Sequence, residues 1–508
     1  MNLKFDQEQI NQFWQQHDRF LKSTLVTEAP NPLTKDFSNL CVSNINTAFE
    51  LFKSIELHAI STLKEHVNLI KLLQNDITEC LKRKGKVYLI GCGASGRLAM
   101  LLKRLWQQLP NINRSQVVSV SAGGDISLIK AVEQFEDNGH FGIQQILDQG
   151  FDLDKDLLIG LSASGESPFI ITPIQYVAEN GKYKPYFVFN NSITSILERN
   201  PKNIVISNKI NAMSLDVGAM VLTGSTRLSA TTAMHIAIGL AMMPNNNIET
   251  FIDTIYNEIN SLALHQLAPI TNLEAKIIKQ KEFILYQTSD MLLGLSLLAD
   301  ITERSPTFNL PSFENEYNPS IKPCPFYLSL ENIKNKSEVW QFLFGNIPYS
   351  LNWNNYPTTN RNYIDKFDLS INSLRVLGNY LSQKQHLSRW DSKNNILSIT
   401  LDNSSINFNL PNCDLIKSLV YKICLNAHST ILFGILGYFD GNMMLSLKPS
   451  NFKLIDRAIR YSMFLLNTNH NLNVTYKEVA TTTFREINNL DEGQSIVKNV
   501  VSAFLKAH

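Results

Sequence analysis

The chain has 508 residues, of which 44% are hydrophobic and 18% charged, enough apolar material to bury the cores of roughly two or three domains. Its net charge of +1 gives no electrostatic case for binding nucleic acid or an anionic membrane. The six cysteines (Cys41, Cys80, Cys92, Cys324, Cys413 and Cys424) are scattered without a C-x-x-C pair, so neither a zinc site nor a disulfide framework is indicated.

The first residues are polar and carry no signal-peptide apolar segment, and no uninterrupted apolar run is long enough to span a bilayer. A soluble, cytoplasmic protein is expected. Residues 1–75 read as a helical segment with a break. Phe13, Trp14, Phe20 and Leu21 fit one helical stripe, and Pro30 and Pro32 interrupt regular helix. Apolar positions return at helical spacing from about Asn44 to Arg83.

Residues 76–265 form the first α/β domain. Candidate strands are Val87–Ile90, Val117–Val120, Leu157–Leu161, Tyr186–Asn190 and Asn203–Ile206. Helical stretches alternate with them at Arg97–Gln108, Ser127–Phe135, Ile171–Glu179 and Thr226–Met242, which predicts a parallel, doubly wound sheet. Two glycine- and serine-rich loops follow the first and third strands: Gly91-Cys92-Gly93-Ala94-Ser95-Gly96-Arg97 and Ser162-Ala163-Ser164-Gly165-Glu166-Ser167-Pro168. Such loops set backbone N–H groups and hydroxyls at a helix start, where an anion is favoured. A phosphorylated small molecule at the carboxyl ends of the strands is the implied ligand.

Residues 266–445 repeat this outline without the serine loop. The repeat opens on Phe283-Ile284-Leu285-Tyr286, continues as helix to Asp300, and closes on a helical pattern from Asp414 to Tyr438 that carries Lys422. Residues 446–508 are helical again and are expected to cover the second block.

These motifs resemble sugar isomerase (SIS) domains, whose phosphate loop S-x-S-G-x-[ST] is matched by Ser162 to Ser167. More narrowly, they are similar to the branch that holds the N-acetylmuramic acid 6-phosphate etherases and the glucokinase regulatory protein. Thr27-Glu28 with Asn31-Pro32-Leu33-Thr34-Lys35-Asp36, Gly91 to Leu98, Ala131-Val132-Glu133-Gln134-Phe135-Glu136-Asp137, and Thr223-Gly224-Ser225-Thr226-Arg227 match its motifs in order. The resemblance implies two flavodoxin-like SIS domains with parallel sheets, an N-terminal helical segment and a C-terminal helical lid. Two SIS domains and a lid in one chain are the regulatory protein's layout; the etherase has a single SIS domain and dimerises.

The resemblance also implies roles. Ser162, Ala163, Ser164 and Ser167 would hold phosphate, with Ala94 and Ser95 lining the sugar's other side. By itself such a stretch is also an ordinary serine-rich helix cap. Glu136 sits where the etherase has the base that removes the proton at sugar C2. The etherase's other glutamate lies in a D-x-x-E-C-P-P-T stretch after its first loop. That position here is Leu105, and the matching stretch is Asp300-Ile301-Thr302-Glu303-Arg304-Ser305-Pro306-Thr307-Phe308 in the second block. Glu303 would then reach the first domain's site within one chain, or else serve as a structural helix cap. Lys422 resembles a phosphate-binding lysine of the regulatory protein, and is alternatively an exposed helix lysine. Arg97 either touches ligand or ties loops together. His235 on an apolar helix reads as a core histidine, and no histidines show metal-ligand spacing. Neither metal nor cofactor is expected.

A phosphosugar-sensing regulator is the first reading, for a hexose phosphate such as fructose 6-phosphate or fructose 1-phosphate. A lyase releasing D-lactate, with Glu136 as base and Glu303 as acid, is the second; aldose–ketose isomerisation rests on fold alone. The regulator implies a sugar kinase or another protein partner. Ile396–Leu401, however, runs into polar Asp402-Asn403-Ser404-Ser405 and makes a poor kinase-contacting hydrophobic loop.

Overall fold

The computed structural model describes residues 5–18, 25–109, 113–244, 247–313, 323–373, 384–491 and 493–507. Phe20 and Leu21 lie outside the described residues, while Phe13 is buried against Phe452 and Phe484 of the C-terminal helices. The N-terminal segment is helical at Gln7–Gln16, turns through two short 3-10 pieces at Val26–Glu28 and Pro32–Thr34, and resumes as helices Phe37–Ser43, Ile45–Thr62 and Val67–Lys82.

The first sheet contains β1 (Val87–Gly91), β2 (Val117–Ser121), β3 (Leu157–Leu161), β4 (Tyr186–Phe189) and β5 (Asn211–Ser214). All of its pairings are parallel, in the order β2-β1-β3-β4-β5. Every residue of β1 and β3 is buried, as expected of central strands covered on both faces. The order reverses between β1 and β3. The two glycine- and serine-rich loops therefore leave the sheet on either side of the switch point, where a crevice opens at the carboxyl ends.

Three expected elements differ. Asn203–Ile206 is a 3-10 turn over Ile204–Ile206, because the Asn203 side chain accepts from Val205 N (3.2 Å) and bends the chain; the fifth strand is the more polar Asn211–Ser214. Ser127–Phe135 is not an α-helix but two 3-10 pieces, Asp125–Leu128 and Glu133–Phe135. A helix unforeseen in the sequence, Gly139–Asp148, follows them. Its glycine Gly142 lets it press on the helix Pro168–Asn180: a Cβ there would stand 2.9 Å from Pro173 Cγ. The remaining helices of this half include Ala94–Trp106 and Ser229–Met242, the latter buried along its whole length.

The second sheet contains β6 (Phe283–Thr288), β7 (Phe326–Leu330), β8 (Gln385–Lys393), β9 (Ile396–Leu401) and β10 (Ser404–Asn409), in the order β10-β9-β8-β6-β7. The parallel trio β7-β6-β8 repeats β2-β1-β3 of the first sheet. Beyond it the expectation of a wholly parallel sheet gives way to an antiparallel meander. Two-residue turns cause this. Asn394 and Asn395 both have positive φ (54° and 58°), as a tight hairpin requires, and Asp402 (49°) helps turn the next one. A hairpin after β8 leaves no strand-to-helix loop in which a phosphate could sit.

The helix after β6 runs Met291–Phe308, well past Asp300, so Glu303 lies inside a helix rather than at its cap. Among the described residues, Asp414–Ile435 is the one helix long and apolar enough to cross a membrane, and it is mostly buried inside the fold. The C-terminal helices Phe452–His470, Tyr476–Ile487 and Ile496–Ala507 do not simply cover the second block. The first of them reaches the first half, where Tyr461 OH donates to Thr223 O (2.6 Å) and Arg457 pairs with Glu28 (2.8 Å).

Candidate functional site

After β1, Gly93 takes φ 54° and ψ −126°, a conformation suited to glycine, and carries no side chain to cap the helix Ala94–Trp106. After β3, Gly165 (φ 77°) closes a turn by donating to Ser162 O (3.0 Å) and Ser162 Oγ (3.2 Å). Asn191 Nδ2 braces this loop from behind, donating to Ser164 O (3.0 Å) and Thr27 Oγ1 (3.0 Å). The N-terminal threonine motif is thus part of the loop's support. Ser167 stands at the N-cap of Pro168–Asn180 but makes no capping bond, and its hydroxyl is buried without a partner. The helix-capping reading of the serine run does not account for this hydroxyl.

Ala94, Ser95, Glu136, Ser162, Ala163, Ser164, Ser167 and Glu303 all line one cavity of about 80 Å³. Gly224, Ser225, Thr226 and Arg227 form a further wall, and Lys453, Leu454 and Arg457 of the C-terminal helix form its roof. Ser225 Oγ is a second buried hydroxyl with no partner. Buried polar groups left unpaired are costly, so both hydroxyls are poised for a polar ligand.

Both oxygens of Glu136 are engaged by the roof. Asn451 Nδ2 donates to Oε2 (2.8 Å) and Lys453 Nζ to Oε1 (2.8 Å). Burial disfavours the Lys453 charge, yet Glu136 and Glu28 outweigh this and hold its pKa above the usual range. Glu303 forms an ion pair with Arg97, whose Nε donates to Ser127 O (2.8 Å). Arg97 is buried, ties Glu303 to the Ser127 carbonyl, and lines a neighbouring cavity rather than the main one. Glu28 is buried with Arg457 (2.8 and 3.0 Å). Burial raises its pKa, but Arg457, Arg460 and Lys453 together take it below the ordinary value.

Arg227 joins the two halves. Its Nη1 donates to Asp300 Oδ1 (2.9 Å), Asn426 Oδ1 (3.1 Å) and Ser429 Oγ (3.1 Å), while its Nε has no acceptor. Asp300 also accepts from Arg304 Nη2 (2.8 Å), so the aspartate of the D-x-x-E stretch fixes Arg227 at the cavity wall.

Lys422 is not brought into this cavity. Its ammonium donates to Leu228 O (3.1 Å) and Thr232 Oγ1 (2.7 Å), and it lines a neighbouring cavity of about 60 Å³ with Arg97, Arg227, Asp300 and Glu303. Burial pulls its pKa down to about 8, against the attraction of Glu56. The lysine lining the main cavity is Lys453, on a helix expected over the other block, while Lys422 lies on the neighbouring cavity, which shares Ala94, Arg227 and Glu303 with it. His235 is a core residue, sharing a hydrogen bond with Ser418 Oγ (3.0 Å), its pKa pushed by burial to about 3.

The loop after β6, which corresponds to the loop after β1, is already filled. Ser289 donates from both N (3.1 Å) and Oγ (2.6 Å) to the Asp391 carboxylate, and Asp290 caps the following helix through Leu293 N (2.9 Å). Hydroxyls, Lys453, Arg457 and Arg227 give the first cavity the chemistry to hold an anion, and Glu136 and Glu303 give it two carboxylates to meet hydroxyls or move a proton.

The family described as "Glucokinase regulatory protein N-terminal SIS domain" matches residues 68–178. An N-acetylmuramic acid 6-phosphate etherase of Enterobacter sp. (strain 638) is 30% identical over 217 residues, 43% of this chain and 68% of the relative. One from Histophilus somni (strain 129Pt) is 28% identical over 234 residues, 46% and 69% of the two chains. A solved structure, the C-terminal domain of glucosamine-fructose-6-phosphate aminotransferase from Francisella tularensis, is 12% identical with a TM-score of 0.42, covering 75% of this chain and 95% of that one.

Proposed function

Because the chain belongs to the SIS family of the N-acetylmuramic acid 6-phosphate etherases and the glucokinase regulatory protein, we propose that its cavity binds a hexose phosphate and that the chain is a sensor of it. The phosphate lies against Ser162, Ser164 and Ser167, and the sugar lies between Glu136, Glu303 and the C-terminal helix. Fructose 6-phosphate or fructose 1-phosphate is the ligand class. One observation carries the choice of sensor: both carboxylates are held by cations, Glu136 by Lys453 and Glu303 by Arg97. Oxygens already accepting from Asn451, Lys453 and Arg97 hold the two carboxylates in fixed positions, which suits hydrogen-bond partners for sugar hydroxyls. Ligand would favour the arrangement in which the roof is closed, and a partner protein would read that arrangement.

The second reading is an etherase that cleaves the lactyl ether of N-acetylmuramic acid 6-phosphate. It is favoured by the presence of both glutamates on one cavity and by the names of the relatives.

A thermal-shift panel separates them. It contains fructose 6-phosphate, fructose 1-phosphate, sorbitol 6-phosphate, glucosamine 6-phosphate and N-acetylmuramic acid 6-phosphate, with D-lactate assayed in the last. A ligand of the native state raises the midpoint by mass action. A shift with a fructose phosphate, no lactate release, and loss of the shift in Ser164→Ala is expected. Lactate release that vanishes in Glu136→Gln would replace the sensor by the lyase.

A further inference from the structure

The segment that carries Glu136 has almost no regular structure of its own. Residues 124–138 contain only the two 3-10 pieces, and the acid follows directly on the buried Phe135. The stretch 345–363 of the second half lies along it. At one end, Lys103 Nζ of the first half donates to Asn346 Oδ1 (2.8 Å). Next, Asp125 N donates to Tyr349 O (2.9 Å) and Tyr349 N donates back to Asp125 Oδ2 (2.7 Å). The close approach needs a glycine: Gly124 has φ 83°, and a Cβ there would stand 3.0 Å from Tyr349 O. Trp353 and Tyr356 then enclose two aromatic rings of the first half. Tyr356 lies 4.8 Å from Phe135 and 5.3 Å from Phe141; Trp353 lies 5.0 Å from Phe141 and 6.3 Å from Phe135. At the far end, Lys130 Nζ donates to Tyr363 OH (2.7 Å).

We propose that residues 345–363 are a strap by which the second half positions Glu136, with Trp353 and Tyr356 as the positioning residues. No residue of the strap lines the cavity; its grip is on the ring next to the acid. On the inner side Phe169 N donates to Glu136 O (3.1 Å), so the acid is pinned between the start of the phosphate-loop helix and the strap. Aromatic pairs of this kind contribute beyond their buried area and hold defined geometry. The strap sets the end of the cavity that meets sugar and leaves the serine end alone. It deepens the phosphosugar reading and rests on it for its binding consequence, though not for its mechanical one.

The full chain is compared with Trp353→Ala, Trp353→Phe and Tyr356→Ala. Backbone hydrogen exchange and the affinities for inorganic phosphate and for the phosphosugar panel are measured. In Trp353→Ala, exchange over residues 125–141 should quicken by at least about tenfold while β3 keeps its wild-type rate, and Trp353→Phe should restore most of the protection. The preference for phosphosugar over inorganic phosphate should fall about tenfold, with phosphate affinity itself within about twofold. Adding Glu136→Gln to Trp353→Ala should take away little more, because both act at one carboxylate. Unchanged exchange over 125–141 overturns the strap. So does an equal loss of phosphate and phosphosugar, which marks general loosening, or full additivity with Glu136→Gln. If the wild-type chain binds none of the sugars, the proposed function fails, while the exchange rates still decide for or against the strap.

Discussion

Lys453 Nζ and Glu136 Oε1 are 317 residues apart in the chain and 2.8 Å apart in space. The pair joins the C-terminal helix to the loop segment of the first half, and it closes the cavity from above. Lys453→Met should lower phosphosugar affinity about tenfold or more, since it removes a charge-assisted donor and leaves Glu136 without its cation. Lys422→Met should change affinity less than about threefold, because Lys422 serves the start of the helix Ser229–Met242 instead. Equal losses in a calorimetric titration of the two variants would show that Lys422 reaches the ligand.

Ser167 offers a test with opposite signs for stability and binding. Its hydroxyl is buried and unpaired in the free chain, so Ser167→Ala removes an unsatisfied group and should leave the midpoint unchanged or slightly higher. The same substitution should weaken phosphosugar binding by about 1–2 kcal/mol. Midpoints with and without ligand read both effects. A large fall in the midpoint without ligand would mean that the hydroxyl has a structural task.

Glu28 and Arg457 form a buried pair between the two ends of the chain. Glu28→Ala strands the guanidinium and should destabilise by about 3–5 kcal/mol. The double variant Glu28→Leu, Arg457→Met should recover much of this in midpoint, though not ligand affinity, because Arg457 lines the cavity. A double variant no more stable than Glu28→Ala would place the cost in packing rather than charge.

Asp125 provides the pH test. Burial pushes its carboxyl from 3.8 up to about 6, against the pull of Lys103 and the Tyr349 N–H. Between those values the native chain keeps a proton that the unfolded chain has released, so stability falls as pH rises through the window. Above it the cost is complete, roughly 2–3 kcal/mol; below the unfolded value it is absent. Asp125→Asn keeps an oxygen to accept from Tyr349 N. It should therefore be more stable than wild type at pH 7.5 and gain far less at pH 4.5. The same gain at both values would show that ionisation is not the cause.

The sequence made the first sheet and its loops readable because β1 and β3 are short apolar runs ending in glycine and serine. Buried parallel strands have no other pattern to display. The loop from Ala131 to Asp137 was readable as a motif and not as structure: its apolar spacing mimics a helix, while strap and roof impose 3-10 turns. β5 was missed because an edge strand needs little apolar material, and Gly139–Asp148 because its glycines argue against helix until a close helix neighbour explains them. Lys453 carried one faint signal, Asn451 two residues earlier at a helix start, where it accepts from Leu454 N (2.9 Å). Which cavity that helix covers depends on the tertiary pairing of Glu28 with Arg457, which no local spacing encodes.

The Asp391 carboxylate on Ser289 sets the stoichiometry. The counterpart of the serine loop would follow β8, where a hairpin takes its place, and the donors of the loop after β6 are already taken by an internal acid. A titration should therefore saturate at one equivalent per chain. Its isotherm should be a simple hyperbola, since the described residues of the second half offer no twin of the serine loop to be coupled to the first.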